Sequence, residues 1–358
     1  MSQEIARPAF ADRKRPLLSY GIAFPAAAAR HVTETFGASR VYVICSGSLA
    51  RNTDSLDRLA SALEPEKVVG RRVGMQSHTL WSEVLEIVED ARNVQADLLL
   101  TLGAGSLTDG AKIIALALAN DVHTPDELET LAQGPKKRAE VKAPTVPIIS
   151  VPTSLSAGEY SNFAGGTEDR SRRKYSFQAP LRGPELIILD PELAESTPDS
   201  IWLSTGVRAV DHCVETLCAI VGTTPESDKL AQNALGLLVP GLLNCKKNRA
   251  DRDAHLQCQL GSVDAMAAWR VREFLIHDPV VSEVLRTRNV NTETADLGDI
   301  LDVVIREIGM PRSLSDVKVG RDKLDALAAH SLHDRWCKTN PVPLTEKEQA
   351  LEILEMVV

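Results

Sequence analysis

Short apolar runs and amphipathic stretches alternate through the first half of the chain. Val41–Cys45, Leu98–Leu100, Val146–Val151 and Leu186–Leu189 are continuously apolar or nearly so, the pattern of strands covered on both faces. Leu17–Phe24 and Val68–Val73 read as further strands. Helical patterns lie between them: Ala26–Phe36 closed by Gly37, Leu49–Leu63, and Ser77–Arg92. In the last of these, Leu80, Val84, Ile87 and Val88 recur close to a 3.6-residue period. Strands that alternate with helices imply a parallel sheet covered by helices. Asp121–Ala143 is charged and reads as a solvated excursion or short helix, and Gly158–Arg173 as a long polar stretch.

Beyond about Pro191 the pattern changes to helix. The candidates are Thr197–Thr205, Val207–Val221, Glu226–Leu243, Asp251–Leu275, Thr292–Ile308, Leu324–Ala329 and Glu346–Met356, with breaks at Gly309–Pro311 and Asn340–Pro341. The expected organisation is an α/β nucleotide-binding domain with a parallel sheet over residues 1–190, followed by an all-α domain over 191–358. A cleft between such halves is a usual place for a ligand.

The most informative stretch is Ala96–Asn120, read as strand, glycine turn and helix. Gly103 and Gly105 permit a tight turn and a close backbone approach. Ser106 or Thr108 can cap the helix, which is almost wholly apolar from Ile113 to Ala119. A glycine turn that feeds a helix N-terminus aims free N–H groups and a positive dipole end at one spot, which suits a phosphate. Thr108 stands where GxGxxG needs its third glycine, and Lys112 does not follow a glycine as in a Walker A loop. Spacing alone leaves a phosphate site and a purely structural turn equally open.

Composition sets bounds. The 358 residues allow two domains and an ample core. With 44% hydrophobic and 25% charged residues the chain reads as soluble and globular. A net charge of −9 excludes a general nucleic-acid binder. The six cysteines form no CxxC pair and read as reduced intracellular thiols; Cys213 and Cys218 lack the spacing of a zinc site with His212. No secretory h-region and no membrane-length apolar run is seen, so a cytoplasmic protein with no membrane partner is expected.

Gly103–Lys112, GAGSLTDGAK, resembles the GGGSxxDxAK signature of the iron-containing alcohol dehydrogenase superfamily, which includes the maleylacetate reductases. The resemblance implies a dehydroquinate synthase-like fold and a homodimer. It also implies that Gly103, Ala104, Gly105, Ser106 and Asp109 form the turn that holds the pyrophosphate of NAD(P). Pro152–Gly158 is similar to the family's PTTxGTGSE stretch, which contacts the cofactor through hydroxyls. Thr153 and Ser154 match, and Ser156 can substitute for the threonine replaced by Ala157. Lys174 resembles the lysine that precedes the DPEL segment, here Asp190–Leu193, and is a candidate for ribose or substrate contact. The competing reading is a solvated basic face of Arg172, Arg173 and Lys174. Ser46 stands where the family often has Asp, with Arg51 close by, so NADPH is expected to be accepted at least as well as NADH. The plainer alternative is a turn residue and a surface charge.

Gly206–Glu215 resembles the family's GxDAxxHxxE, in which the Asp and the His four residues later bind the metal. Here His212 is kept but Arg208 replaces the Asp. A guanidinium has no lone pair for a metal, and Asp211 points about 100° away around the helix. Maleylacetate reductases also depart from Asp at this position. The later GxxHxxxHxxG…H pattern is absent; His255, His277, His330 and His333 lack its local sequence, and a block of the family pattern is missing around Asp264–Arg272. Trp336–Pro341 again resembles the family.

The expectation is therefore a metal-independent NAD(P)H-dependent reductase of a small acidic unsaturated or oxo substrate. Arg208 would bind a carboxylate and take developing negative charge, and His212 would donate a proton. The bland reading of both residues is a salt-bridged helix face with Asp211 or Glu215. The alternative function is a repurposed member: a non-redox isomerase, cyclase or lyase, or a ligand-binding pseudoenzyme.

Overall fold

The computed structural model describes residues 3–10, 13–103, 105–218, 225–265, 279–288, 290, 297–332, 337 and 343–358. The chain divides into two compact units, Met1–Pro198 and Asp199–Val358. The boundary follows the short helix that Pro191 opens rather than preceding it.

The first unit carries β1 (Ile5–Pro8), β2 (Leu17–Tyr20), β3 (Val41–Cys45), β4 (Val68–Val73), β5 (Leu98–Leu102), β6 (Ile148–Val151), β7 (Ala164–Thr167), β8 (Lys174–Phe177) and β9 (Leu186–Ile188). Seven of them form one sheet in the order β1-β2-β9-β6-β5-β3-β4. Every pair is parallel except β1–β2. The strands β3, β5, β6 and β9 are buried throughout, which explains their nearly unbroken apolar sequences; the polar exceptions, Thr101 and Ser150, hydrogen-bond each other at 2.9 Å. The helices of this unit are α1 (Phe24–Arg30), α2 (Gly47–Asn52), α3 (Ser55–Ala62), α4 (Trp81–Asn93), α5 (Ser106–Ala119), α6 (Pro125–Glu129) and α7 (Pro191–Ala194). Leu99 faces a core shared with Val84 and Ile87 of α4 and Ile113 and Leu116 of α5. Leu98, Leu100 and Leu102 face the opposite core with Phe24 and Ala28 of α1 and Leu59 of α3.

Several elements differ from the sequence reading. The strand expected over Leu17–Phe24 ends at Tyr20, because Gly21 turns with φ +94° and Phe24 opens α1. The helix expected over Leu49–Leu63 is two, α2 and α3. Thr53 is extended between them, donating its hydroxyl to the Leu49 carbonyl and accepting from the Ser55 N–H. The helix expected from Ser77 starts at Trp81, since His78 and Thr79 adopt left-handed φ values of 74° and 54°. The polar stretch Gly158–Arg173 contains β7, which pairs antiparallel with β8 in a separate hairpin.

The second unit contains α8 (Asp199–Cys218), α9 (Pro225–Lys247), α10 (Arg252–Asp264), α11 (Pro279–Thr287), α12 (Leu297–Glu307), α13 (Leu324–Ser331) and α14 (Lys347–Glu355). No strand occurs among its described residues. The two helices expected either side of Gly206 are one, α8; Gly206 is buried and interrupts nothing. Pro240 sits inside α9. Asp251 caps α10 by accepting from the Ala254 N–H. The latter part of the helix expected over Asp251–Leu275, and the end of that over Val207–Val221, lie outside the described residues. No helix of the described chain is long and apolar enough to cross a membrane.

Candidate functional site

Three strand ends are tied together beside the glycine turn. The Gly103 N–H donates to the Val151 carbonyl at 3.0 Å, and the Ser46 N–H donates to the Leu102 carbonyl at 2.8 Å. The carboxyl ends of β3, β5 and β6 therefore meet at one place. Between β3 and β5 the strand order also reverses, the usual ligand position in such sheets. Gly103 has φ +134°, and a Cβ there would lie 2.7 Å from both Ser46 Cβ and Leu107 Cδ1. Gly105 has φ +65° and caps α5 without a side-chain bond. A Cβ at Gly105 would meet nothing within 4 Å, so the space before the first turn of α5 is open. Thr108, buried in that turn, has an Oγ1 with no hydrogen-bond partner among the described residues. An open cradle, an uncapped helix start and an orphaned hydroxyl fit a phosphate group.

Ser46, Gly103, Gly105 and half-buried Ser106 converge there; Ala104 lies outside the described residues. The Ser46 hydroxyl bonds that of Ser48 at 2.9 Å, and Arg51 folds back over Gly47, its Nη1 3.0 Å from where a Cβ would stand. Thr153 and Ser154 are buried just beyond β6; Ser154 Oγ bonds Ser156 Oγ at 3.0 Å, and the Thr153 carbonyl accepts from Thr197.

Asp109 differs from its neighbours in the signature, because its carboxylate is engaged by the protein. Oδ1 accepts from Lys112 Nζ at 3.2 Å and Oδ2 from the Gly165 N–H at 3.0 Å. Lys112 is completely buried, and its Nζ also donates to the Gly158 and Phe163 carbonyls at 2.6 and 2.7 Å and to Ser161 Oγ at 3.3 Å. One ammonium thus holds the 158–163 loop against α5. Burial pushes the Lys112 pKa down, opposed by Asp109. Glu159 in the same loop is buried, and desolvation raises its pKa to about 7. Neither Lys112 nor Glu159 stands out as a site residue in the sequence. The available signal is a lysine inside an apolar helix, three residues after an aspartate.

Lys174 begins β8 and lines a cavity of about 690 Å³ with Gln76, Ser77, His78, Leu80, Thr167 and Arg172. The segment before α4 packs on the start of α5. Met75 lies over Gly110, and Thr79 Oγ1 donates to the Ser106 carbonyl at 3.3 Å. The cavity and the glycine turn therefore belong to one neighbourhood of the first unit, and the basic side chains of the hairpin face a concavity.

In the second unit, Arg208 is exposed on α8 and has no ion-pair partner among the described residues. Glu215 pairs with His212 instead: His212 Nδ1 lies 3.0 Å from Glu215 Oε2. The salt-bridged helix face thus exists, but it joins His212 and Glu215. The carboxyl of Asp211 is raised above its ordinary range by desolvation and then by Glu215, against His212 and Arg208. Of the two positions that resemble the family's metal-binding helix, only His212 offers a lone pair. His212 is joined across one helical turn by a cation without a lone pair, and no cluster of three His, Cys, Asp or Glu able to hold a metal ion occurs among the described residues. His255 is buried in α10 and His330 is on α13, whereas His277 and His333 lie outside the described residues.

Comparison with known proteins gives the family and the fold. The family model of iron-containing alcohol dehydrogenase matches residues 22–191. "Dehydrogenase FUM7" of Gibberella moniliformis is 31% identical over 96% of both chains. "Dehydrogenase ALT3" of Alternaria alternata is 31% identical over 89% of this chain and 99% of its own. Among solved structures, sulfoacetaldehyde reductase from Bifidobacterium kashiwanohense in complex with NAD+ superposes with a TM-score of 0.78 at 17% identity, over 96% of this chain and 97% of that one. Maleylacetate reductase from Agrobacterium tumefaciens superposes with a TM-score of 0.70 at 21% identity, over 100% and 98%.

Proposed function

Because the chain belongs to the iron-containing alcohol dehydrogenase family, we propose that it is an NAD(P)H-dependent reductase of a small acidic unsaturated or oxo substrate that works without a metal. Its oxidoreductase class follows from the family and from the dehydrogenase relatives. The observation that carries the cofactor is the open space at Gly105 before an uncapped, buried helix. When bound, the nicotinamide supplies the hydride. The chain's own part begins with the α5 N–H groups, which hold the pyrophosphate. Ser46 offers no carboxylate to repel a 2′-phosphate, and Arg51 beside it favours one, so NADPH is accepted at least as well as NADH. Lys174 adds a cation in the adjoining cavity.

The substrate class rests on Arg208. An exposed guanidinium with no ion-pair partner among the described residues is available for a carboxylate, which it binds bidentately, and for the charge that develops on the reduced substrate's oxygen. Glu215 orients His212 through Nδ1, which leaves Nε2 to deliver a proton. The same pair favours a second reading, acid–base chemistry in an isomerisation, cyclisation or elimination on a retained fold.

Titration with NADPH and NADH, followed by reduced-nicotinamide fluorescence, tests the proposal. Micromolar binding, with NADPH no weaker than NADH, is the expected result. A strong NADH preference would sink the 2′-phosphate reading. No binding at millimolar dinucleotide would leave only the non-redox reading.

A further inference from the structure

The helices α9 and α10 run antiparallel and unusually close. Contacts climb one helix as they descend the other: Gly261 faces Leu238, Cys258 faces Gly241, and His255 faces Cys245. A Cβ at Gly241 would lie 2.7 Å from Cys258 Sγ, and one at Gly261 would lie 2.9 Å from Leu238 Cγ. Only glycines at these positions let the two backbones approach so nearly. The result is that the Cys258 thiol lies against α9 at Gly241, one helical turn before Cys245. His255 Nδ1 lies 3.6 Å from the same sulfur and 2.9 Å from the Asp251 carbonyl. Trp202 of α8 packs its ring 4.7 Å from that of His255.

We propose that Cys245 and Cys258 form a reversible redox pair, closed by a peroxide into a disulfide that staples α9 to α10. Cys245 is the attacking sulfur. Its thiol is held down to about 6, first by the neighbouring Cys258 thiol, against desolvation, and then by His255. Burial pushes the Cys258 thiol up, so it is the resolving partner. Cys245 keeps 6% of its surface exposed and Cys258 none, so a small oxidant meets Cys245 first. In the first step the Cys245 sulfur attacks one peroxide oxygen; the O–O bond breaks, a sulfenic acid forms and one water leaves. In the second, the Cys258 sulfur attacks the sulfenic sulfur; the S–S bond forms and a second water leaves. Two thiols are oxidised, one hydrogen peroxide is reduced to two waters, and the thiol protons leave in those waters. The pair is independent of the cofactor reading, and through Trp202 it touches the helix that bears Arg208 and His212.

The test treats the native full-length protein with equimolar hydrogen peroxide, alkylates the remaining thiols and maps non-reduced tryptic peptides. The expected product links peptides 230–246 and 253–270 and is two hydrogens lighter than their sum. Thiols titrated after denaturation fall from six to four, and dithiothreitol restores all six. C258S is expected to stop at the Cys245 sulfenic acid, trapped by dimedone; if that variant does not fold, the wild-type map still decides. The proposal is overturned if the native protein keeps six thiols, if Cys245 goes to sulfinic acid without a link, or if the link forms only after unfolding in urea.

Discussion

Gly103 and Gly105 sit one residue apart in sequence and respond differently to a methyl group. At Gly103 a Cβ collides with Ser46 and Leu107, so Gly103→Ala is expected to lower the melting temperature sharply or prevent soluble expression. At Gly105 the methyl meets only open space and a left-handed φ, a strain of about 1–2 kcal/mol. Gly105→Ala should therefore fold, melt a few degrees lower, and bind NADPH about tenfold or more weakly by fluorescence titration. Both glycines are legible from the strand–turn–helix pattern. Glu159 is not, because a carboxylate in a polar loop reads as solvated until the fold buries it. Its ionisation makes a separate prediction. The unfolded chain ionises this group near 4.5 and the folded chain near 7, so between those values the unfolded state binds fewer protons. Stability contributed here falls as pH rises from about 4.5 to 7 and is level above that. Glu159→Gln should flatten that slope in a melting-temperature series; an unchanged slope would remove Glu159 as its source.

Among elements, α7 shows how one side chain can set two helix starts. Asp190 Oδ1 accepts from the Leu193 N–H at 2.9 Å and Oδ2 from the Phe24 N–H at 2.7 Å, with the side chain buried. Asp190→Ala frees both donors and is expected to cost about 2–4 kcal/mol in urea unfolding, whereas Asp190→Asn retains one acceptor and costs less. The buried strands and most helices follow from apolar runs and period, since burial on both faces leaves a plain signature. The β7–β8 hairpin does not. Gly165 and Gly166 have no side chains to alternate, yet a Cβ at Gly166 would lie 3.0 Å from Trp81 Nε1 and Ile113 Cδ1, so packing against α4 and α5 requires the glycine. The split of α2 from α3 at Thr53 is similarly hidden, because a threonine hydroxyl decides it and the apolar period runs straight through.

At the scale of the whole molecule, the proposed function puts cofactor binding in the first unit and substrate chemistry in the second. Arg208→Ala is expected to lower turnover on the order of 100-fold and to leave the NADPH dissociation constant unchanged. Dialysis against a chelator should leave activity intact, a result that restored activity on adding iron would contradict. NADPH at about 100 times its dissociation constant should stabilise the folded protein by about 2.7 kcal/mol, read as a rise in melting temperature. The family pattern is legible in the first unit because its motifs lie in continuous sequence; a salt-bridged face of Arg208 and His212 with Asp211 or Glu215 is legible from helical spacing, but that Glu215 takes His212 rather than Arg208 is decided by side-chain rotamers. One feature of the sheet reaches beyond the finished molecule. β9 is inserted between β2 and β6, far from β2 in sequence. A ribosome that has just delivered Val151 must add the chain up to Leu186 before that slot can be filled, about 2–7 s at 5–20 residues per second. Throughout that interval the nascent chain carries two unzipped edges, so slowing translation there should enrich chaperone-bound and aggregated product, and speeding it should relieve both.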